Sequence, residues 1–455
     1  MTSRVAGRLS KDELLARIKI GDIDTVILAI TDMQGRLQGK RIDATFFAAE
    51  YLEGAVEGCS YLLASDVDMR TVDGFALTSW ERGYGDLAFV ADFSTIRLVP
   101  WHHKTAIVFA DVQSVEGEPV AVSPRQILAR QVARLAERGW HGVTGTELEF
   151  MVFSDTYETA WRNGYRDLTP VNLYNVDYSL QGTSRVEPLL GRIRRDMRDA
   201  GMVVESVKGE CNYGQHEMAF KYNDLIDKCD EHGLFKLGAK EIAAQEGYAL
   251  TFMAKFNERE GNSCHIHISL RDDENRPVFA GDGAHGMSPV FESFLAGLLA
   301  HVRELSYFLA PNVNSYKRFV AGSFAPTALL WGIDNRTCAF RVVGHGPSIR
   351  VECRIPGGDV NQYLAEAALV AAGLAGVEAS LALEAPFAGN AYAADVTRVP
   401  TTLHEAVELF ANSRVARAAF GDEVVDHYAH AGRIEVEAFN TAVTDWERYR
   451  GFERL

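Results

Sequence analysis

The chain has 455 residues and a formal net charge of -16 at pH 7. This length exceeds the size at which one hydrophobic core usually stops growing, so it predicts two domains. The acidic balance argues against a surface that holds the phosphate backbone of a nucleic acid.

The six cysteines show no spacing typical of a metal site or a redox pair. The N-terminal segment lacks the apolar stretch of a secretory signal. The longest uncharged apolar run lies between Glu366 and Glu378, which is too short for a membrane span and predicts a buried helix. We therefore expect reduced thiols in a cytoplasmic protein that does not bind membranes.

The first elements of the chain predict a short helix followed by a hairpin. Ser10 and Glu13 have the spacing of a capping box, and the helix they start should end before Gly21. Residues 25–42 alternate apolar side chains around a turn at Asp32–Gly35, which predicts two paired strands.

Further strand-like runs at Leu87–Asp92 and Thr105–Asp111 complete a small part of the chain that is rich in strands. Strands and helices alternate after it. We place the boundary near residue 112, which divides the chain into an N-terminal domain of residues 1–112 and a larger second domain of residues 113–455.

The second domain should open with a helix. Ser123, Pro124 and Gln126 predict a capping box with proline at the first helical position, and Gly139 marks the end of this helix.

Four later segments carry polar side chains at alternate positions of otherwise apolar strands. Side chains two residues apart point to the same face of a strand, and like charges on one face repel each other. One such strand alone is more simply explained by a face in water, whereas four of them favour a shared cavity. The positions are Glu147 and Glu149; Glu210 and Glu217, on either side of a loop with a glycine; His265, His267 and Ser269; and Arg350, Glu352 and Arg354.

This combination of groups predicts a site for hard divalent cations. Carboxylates with one imidazole suit Mg²⁺ or Mn²⁺ better than zinc. The nearest approach to a phosphate-binding glycine loop, Gly233–Lys240, lacks the required Gly-Lys-Ser/Thr and predicts part of a helix. A bound nucleotide would therefore depend on metal ions and arginines.

Taken in order, these segments resemble the glutamine synthetase family over nearly the whole chain. The motifs that carry the resemblance are Glu147-Leu-Glu149, Glu210 with Gly214-Gln-His-Glu217, His265-Ile-His267, Asn314-Ser-Tyr-Lys-Arg318, Asn335-Arg336 and Arg350-Val-Glu352-Cys-Arg354. The resemblance implies an α+β fold, with an N-terminal β-grasp-like domain and a large α/β catalytic domain built on a curved antiparallel sheet.

The resemblance also implies ATP as co-substrate and two to three divalent ions at each site. By motif, one ion near glutamate and the amine would be held by Glu149, Glu210 and Glu217, and one at the ATP phosphates by Glu147, His265 and Glu352. The nucleotide would be contacted by His267, Ser269, Arg336 and Arg350, of which the two arginines would act in phosphoryl transfer. The substrate would be held by Arg318, Arg354, Gly261 and Ser60.

Family members form stacked rings, usually dodecamers, with each active site between neighbouring subunits. We therefore expect a homo-oligomer that acts on small molecules, with no nucleic-acid partner.

Three departures from the family concern the second substrate. Where the family has Asp-Gly-Ser-Ser in the loop donated by the neighbouring subunit, this chain has Glu57-Gly-Cys-Ser60. A flap glutamate before Ala-Pro is replaced by Phe324, and the segment before the histidine strand reads Glu260-Gly-Asn-Ser-Cys264. Ammonium needs converging acceptors and a base, whereas a phenyl ring offers an apolar wall for CH₂ groups and a cation–π face.

These departures predict ligation of the glutamate γ-carboxylate to an alkyl amine through a γ-glutamyl phosphate, with Glu57 and Phe324 among the catalytic residues. Ethanolamine suits one apolar wall, and a polyamine would need a second acid such as Glu57 or Glu260. Two alternatives remain: a true glutamate–ammonia ligase, and a non-catalytic homologue, which should have lost metal ligands.

Overall fold

The protein is described by a computed structural model that covers residues 6–455. Residues 1–5, which belong to the predicted first domain and to the segment without a secretory signal, lie outside the described residues. The strands in chain order are β1 (Thr25–Thr31), β2 (Leu37–Asp43), β3 (Val56–Cys59), β4 (Asp86–Ala91), β5 (Arg97–Leu98), β6 (Thr105–Gln113), β7 (Trp140–Phe153), β8 (Val204–Gly209), β9 (Gln215–Phe220), β10 (Asn223–Asp224), β11 (Ala249–Thr251), β12 (Cys264–Asp272), β13 (Trp331–Ile333), β14 (Phe340–Val343) and β15 (Arg350–Cys353).

The α-helices alternate with these strands and then dominate the C-terminal part. They are α1 (Lys11–Lys19), α2 (Ala44–Glu50), α3 (Pro124–Ala136), α4 (Tyr157–Arg162), α5 (Leu180–Ser184), α6 (Glu187–Asp199), α7 (Leu225–Gln245), α8 (Pro289–Leu309), α9 (Gln362–Glu378), α10 (Leu403–Ala411), α11 (Arg414–Phe420), α12 (Asp422–Thr441) and α13 (Asp445–Gly451).

The N-terminal elements form where the sequence predicted them. The Ser10 side chain caps α1 and Glu13 completes the box. Strands β1 and β2 pair antiparallel from Thr25 opposite Asp43 to Thr31 opposite Leu37. Strand β1 also pairs parallel with β6, so it lies inside a sheet of order β2-β1-β6-β4-β3, and both of its faces are buried.

Helix α3 begins at Pro124 as predicted, but the predicted capping box is wrong. The Ser123 side chain makes no capping hydrogen bond. Gln126 instead donates its side-chain amide to the backbone carbonyl of Val112 at 2.7 Å. This bond ties the helix to the last strand of the first sheet, a long-range contact that local spacing could not reveal.

The second sheet brings together the strands that the sequence singled out. Its order is β13-β14-β15-β12-β7-β9-β8, with β10 and β11 also paired to β7. All pairs are antiparallel except β13 with β14. The four strands with alternating polar groups, β15, β12, β7 and β9, are therefore consecutive neighbours.

Helices cover the apolar side of this sheet. Most of α9 is buried, which confirms the buried helix predicted between Glu366 and Glu378. The Gly233–Lys240 segment lies inside α7 and is helical, as predicted. All six cysteine thiols are free. Among residues 6–455, no helix has the length and apolar character needed to cross a membrane.

Ion pairs join the two sheets through α7, and those made with the α7 acids Asp230 and Glu231 are buried. Arg125 of α3 contacts Asp92 and Asp111 beside the first sheet and Asp230 of α7, at 2.8, 2.6 and 3.1 Å. Arg97, with a 1% exposed side chain, contacts Glu231 of the same helix. Because breaking a buried pair leaves an uncompensated charge, these contacts fix the first sheet against the second.

Helices α8 and α9 approach each other through glycines. A Cβ atom added at Gly297 would lie 2.3 Å from the carbonyl oxygen of Ala372 and 2.7 Å from the Cα of Gly376. Only a residue without a side chain allows this approach, and it sets the position of α9 behind the second sheet.

We expect Gly297→Ala to destabilise the fold by about 3 kcal/mol, because the added methyl group can be accommodated only if one backbone moves. The measurement is the midpoint of thermal unfolding. The matched control is Gly451→Ala in α13, where an added Cβ meets nothing within 4 Å. Equal midpoints for the two variants would contradict the close helix packing.

Candidate active site

The polar groups of the four central strands face one another in register. His265 of β12 is opposite Glu147 of β7, and His267 is opposite Glu352 of β15. On the other side of β7, Glu149 is opposite Glu217 of β9. Glu210 follows β8 and comes beside Glu149 and Glu217. The pleat of the sheet therefore gathers acids and imidazoles from four segments on one face.

Three groups of these side chains place their ligand atoms within 4.8 Å of one another. They are Glu149 with Glu210 and Glu217; Glu147 with Glu217 and His265; and Glu147 with His267 and Glu352. Several oxygens and one imidazole nitrogen at this spacing are suitable donors for a divalent cation.

The carboxylates of the first group lack enough positive charge around them to remain ionised together. Burial and the charges of Glu147 and Glu149 raise the pKa of Glu217 to about 9. Burial and the charge of Glu149 raise the pKa of Glu210 to about 7, although Lys208 forms an ion pair with it. A divalent cation would offset this repulsion, so the donor set fits a metal ion.

Glu149 is held in place from behind. Its oxygens accept hydrogen bonds from the backbone N–H of Ser263 at 2.8 Å, from the Ser263 hydroxyl at 2.5 Å and from the Gln215 side-chain amide at 2.9 Å. Such supporting bonds fix the orientation of a metal ligand.

The opposite group is balanced by cations. Burial opposes the ionisation of Glu352, but the protonated form of His265 and the Arg354 guanidinium outweigh it and lower the pKa of Glu352 to about 2. Arg354 and Arg341 contact its two oxygens at 2.6 and 2.9 Å. Burial and the charge of Arg354 lower the pKa of His265, which leaves the neutral imidazole that binds metals.

Two cavities meet at this sheet face, and Glu147 lines both. The first has a volume of about 510 Å³. The predicted residues that line it are Glu147, Glu149, Glu210, Glu217, Gly261, His265, Arg318, Phe324, Arg336, Glu352 and Arg354. The second has a volume of about 470 Å³ and is lined by the predicted residues Glu147, His267, Ser269 and Arg350, with Tyr222.

Buried arginines in the first cavity keep donors free for a ligand. Arg318 is 2% exposed and donates from Nη2 to the Ile355 carbonyl at 2.6 Å. Its Nε and Nη1 atoms, and Nε of Arg354, are buried with no hydrogen-bond partner in the described chain. Buried donors without partners are costly, so they favour an acidic ligand that accepts from them.

Phe324 presents its ring at the rim of the first cavity. The residue is 55% exposed and has a φ of 59°, in the left-handed region that phenylalanine rarely adopts. Its carbonyl oxygen accepts a hydrogen bond from Nη2 of Arg354 at 3.4 Å. The ring is therefore held in a strained loop beside an arginine that also contacts Glu352.

Two predicted residues do not reach either cavity of the same chain. Glu57 is exposed on β3, where its backbone carbonyl accepts a hydrogen bond from Lys40. Ser60 is buried, and its hydroxyl donates to that of Thr78 at 2.8 Å. Their predicted role depends on a neighbouring subunit, and it stays a prediction.

The sequence reasoning missed several residues that line the cavities. Arg341 and Lys208 each contact a predicted metal ligand, and Asp177 with Tyr178 forms part of the first cavity wall. Alternation along β14 could have indicated Arg341, since it lies between apolar positions directly opposite Glu352. Nothing in the local sequence marks the irregular segment around Tyr178.

Comparisons with known proteins agree with this geometry. Residues 121–450 match the family model described as glutamine synthetase, catalytic domain. The chain is 61% identical over 447 residues to a gamma-glutamylethanolamide synthetase of Streptomyces coelicolor, covering 98% of this chain and 96% of that protein. It is 38% identical over 435 residues to a glutamate–isopropylamine ligase of a Pseudomonas species, covering 94% and 95%.

Solved structures support the same relationship. A structure of GmaS in complex with ADP has a TM-score of 0.85 and 26% sequence identity, and the match covers 97% of this chain and 99% of that one. The predicted α+β fold class, with its sheet-rich N-terminal part and large catalytic part, is confirmed by this similarity.

We expect Glu217→Gln to weaken Mn²⁺ binding by about tenfold or more, because losing a charged ligand costs at least the 1.4 kcal/mol that a factor of ten requires. Isothermal titration with Mn²⁺ at fixed pH measures the effect. Glu274→Gln removes an exposed carboxylate that lines neither cavity and serves as the control. Identical titrations for both variants would exclude a cation at Glu217.

Proposed function

The chain belongs to the glutamine synthetase family, and we propose that it ligates the γ-carboxylate of glutamate to a short alkyl amine at the expense of ATP. The observation that carries this proposal is the first cavity, where an acidic metal-binding cluster, buried arginine donors and the Phe324 ring face the same space. Ethanolamine is the amine that the 61% identity to a gamma-glutamylethanolamide synthetase favours.

ATP is proposed to bind in the second cavity with its phosphates directed to the first. Glu147 lines both cavities, so a ligand can extend from one into the other past this side chain. We assign the nucleotide contacts to His267, Ser269 and Arg350, with Arg336 at the phosphates on the first-cavity side.

The metal ions are proposed to be two to three Mg²⁺ or Mn²⁺, held by Glu149, Glu210 and Glu217 and by Glu147, His265 and Glu352. When bound, such ions supply positive charge that offsets charge on the transferring phosphoryl group. The three ligand groups on the sheet face, which share Glu147 and Glu217, are consistent with more than one ion.

Glutamate is proposed to bind through the free donors of Arg318 and Arg354, near Gly261. An oxygen of its γ-carboxylate attacks the γ-phosphorus of ATP, and ADP leaves with the electrons of the broken P–O bond. Arg336 and Arg350 stabilise charge on the oxygens during this transfer. The amine nitrogen then attacks the acyl carbon, and phosphate leaves with the electrons of the C–O bond.

The amine must lose a proton before or during its attack, because alkyl amines are mainly present as protonated ammonium ions at neutral pH. Glu57 of a neighbouring subunit is the group we propose to accept this proton. Ser60 follows it in the same segment and is proposed to contact the substrate, although in the described chain its hydroxyl donates to Thr78.

Phe324 sets the class of amine. A phenyl ring in place of a carboxylate removes an acceptor for ammonium and provides an apolar surface for CH₂ groups. Its exposed face also attracts the positive end of an amine. A single ring suits a short chain such as that of ethanolamine, whereas a polyamine would need a second acid such as Glu260.

The assembly is proposed to be a homo-oligomer of stacked rings, a dodecamer, in which each site uses two neighbouring subunits. The absence of Glu57 and Ser60 from both cavities of the described chain is consistent with this arrangement. We retain the prediction of a cytoplasmic location, which the free cysteines favour, and the division into domains of residues 1–112 and 113–455.

The first test is an amine panel of ammonium, ethanolamine, isopropylamine, putrescine and spermidine, with phosphate release as the readout. We expect ethanolamine to be preferred over ammonium by roughly tenfold to a hundredfold in kcat/KM, the range that added methylene contacts give. Phe324→Glu should move the preference toward ammonium.

Val320→Ala is the matched control, since it changes an exposed apolar residue of the same loop that lines neither cavity. A wild-type preference for ammonium would identify the chain as a glutamate–ammonia ligase. Absence of ATP turnover with every amine would favour the non-catalytic homologue.

The second test is complementation between subunits. Chains with Glu57→Ala and chains with Glu352→Ala should each be nearly inactive alone. Co-expressed in equal amounts, they should recover about a quarter of the wild-type rate, because a shared site takes one face from each of two neighbours.

The control is co-expression of Glu147→Ala with Glu352→Ala, both in the same cavity of one chain, which should recover no activity. If the Glu57 and Glu352 variants also fail to complement each other, active sites are not shared between subunits.

A further inference from the structure

Helix α9 buries a carboxylic acid directly behind the active-site sheet. Glu366 is 0% exposed, and the residues that follow it from Ala367 to Leu374 are apolar or glycine and are buried as well. An apolar residue would pack at this position without a desolvation cost, so the acid breaks the local pattern of the helix. Such departures concentrate at functional positions.

Among residues 6–455, Glu366 has one hydrogen-bond partner and forms no ion pair. Its Oε1 is bonded to the Thr144 hydroxyl, and its Oε2 is buried without a partner. The ionisable groups of the described chain that are coupled to it are the thiols Cys229, Cys264 and Cys353, and burial raises the pKa of each. The site therefore favours an uncharged side chain.

A count of protons leads to the same protonation state. The Thr144 hydroxyl also lies 2.8 Å from the backbone carbonyl oxygen of His267. A hydroxyl carries one proton, and the carbonyl can only accept. The hydroxyl can donate to only one of the two oxygens at a time, so a protonated Glu366 that donates to Thr144 would allow both contacts to be hydrogen bonds. Consistent with this, burial raises the pKa of Glu366 to about 8.

This chain of bonds ends at the backbone carbonyl of His267, the residue whose imidazole is assigned to the nucleotide. Thr144 lies on β7, and His267 lies on the neighbouring strand β12, where it is opposite Gly145, the residue that follows Thr144. The His267 ring lies 3.0 Å from the Glu147 carboxylate through Nε2 and accepts a hydrogen bond from Nε of Arg350 at 3.2 Å. A shift of the β12 backbone at His267 would disturb both contacts at the second cavity.

We propose that protonated Glu366 and Thr144 form a buried positioning pair that fixes His267, and with it Arg350, for nucleotide binding. This inference rests on the proposed placement of ATP in the second cavity. Thr144 borders the second cavity, but its hydroxyl is bonded to Glu366 and to the His267 carbonyl, and Glu366 lines neither cavity, so we assign the pair a positioning role. The pair fixes the position of the His267 imidazole. Loss of the pair should therefore reduce the affinity for ATP more than the affinity for glutamate.

The test compares four variants by direct titration with Mg²⁺ and ATP and by KM for glutamate. Glu366→Leu and Thr144→Val remove the hydrogen bonds at similar volume. They should weaken ATP binding by roughly tenfold to a hundredfold, the range seen when supporting bonds to a functional side chain are lost, and leave KM for glutamate unchanged. Glu366→Gln and Thr144→Ser keep the donor and the hydroxyl, so ATP binding should remain near that of the wild type.

A second readout follows from protonation. Unfolded Glu366 ionises near its ordinary pKa of 4.5, whereas the folded group ionises at about 8. The wild type therefore loses stability between these values as pH rises, since only the unfolded state releases the proton. Glu366→Gln should lack this part of the decline in melting temperature.

Gln131→Leu is the structural control, because it removes a buried hydrogen bond to the Ala419 carbonyl away from both cavities. It should lower the melting temperature without changing the affinity for ATP. If Glu366→Leu behaves in the same way, or if Glu366→Gln is as defective as Glu366→Leu, the positioning pair is refuted. Failure of the wild type to bind ATP would instead overturn the proposed function.

Discussion

Mutual repulsion among buried carboxylates is the constraint around which this molecule is organised. Glu147, Glu149, Glu210 and Glu217 lie on one sheet face at distances where they cannot all remain ionised without added positive charge. The sheet holds them there because adjacent strands fix opposing residues in register. A partner that supplies positive charge would stabilise this arrangement, so the sheet face favours cations and the phosphates that accompany them.

Much of this site was predictable from the sequence because its signal is local. A period of two along a strand assigns Glu147 with Glu149, or His265 with His267, to one face without knowledge of the rest of the fold. The order of the strands is not local, and the motifs of the family supplied it. Arg341 escaped notice because its strand is short, and Lys208 because one charge beside a loop carries no pattern.

The errors have the same physical origin. Ser123 and Gln126 have the spacing of a capping box, but the Gln126 side-chain amide donates to the backbone carbonyl of Val112, 14 residues earlier in the chain. Long-range hydrogen bonds of this kind compete with caps that cost the chain less to form. The predicted roles of Glu57 and Ser60 depend on a neighbouring subunit and stay predictions.

The sharing of Glu147 by both cavities has a consequence for how the protein could change. A substitution of Glu147 would alter the lining of both cavities at once, so a single change there would affect the binding of more than one ligand. Phe324 borders the first cavity but not the second, and its side chain is exposed and therefore loosely packed. Replacing the Phe324 ring could therefore admit new amine acceptors without changing the residues assigned to phosphoryl transfer. This makes the scaffold a suitable starting point for the synthesis of other amides.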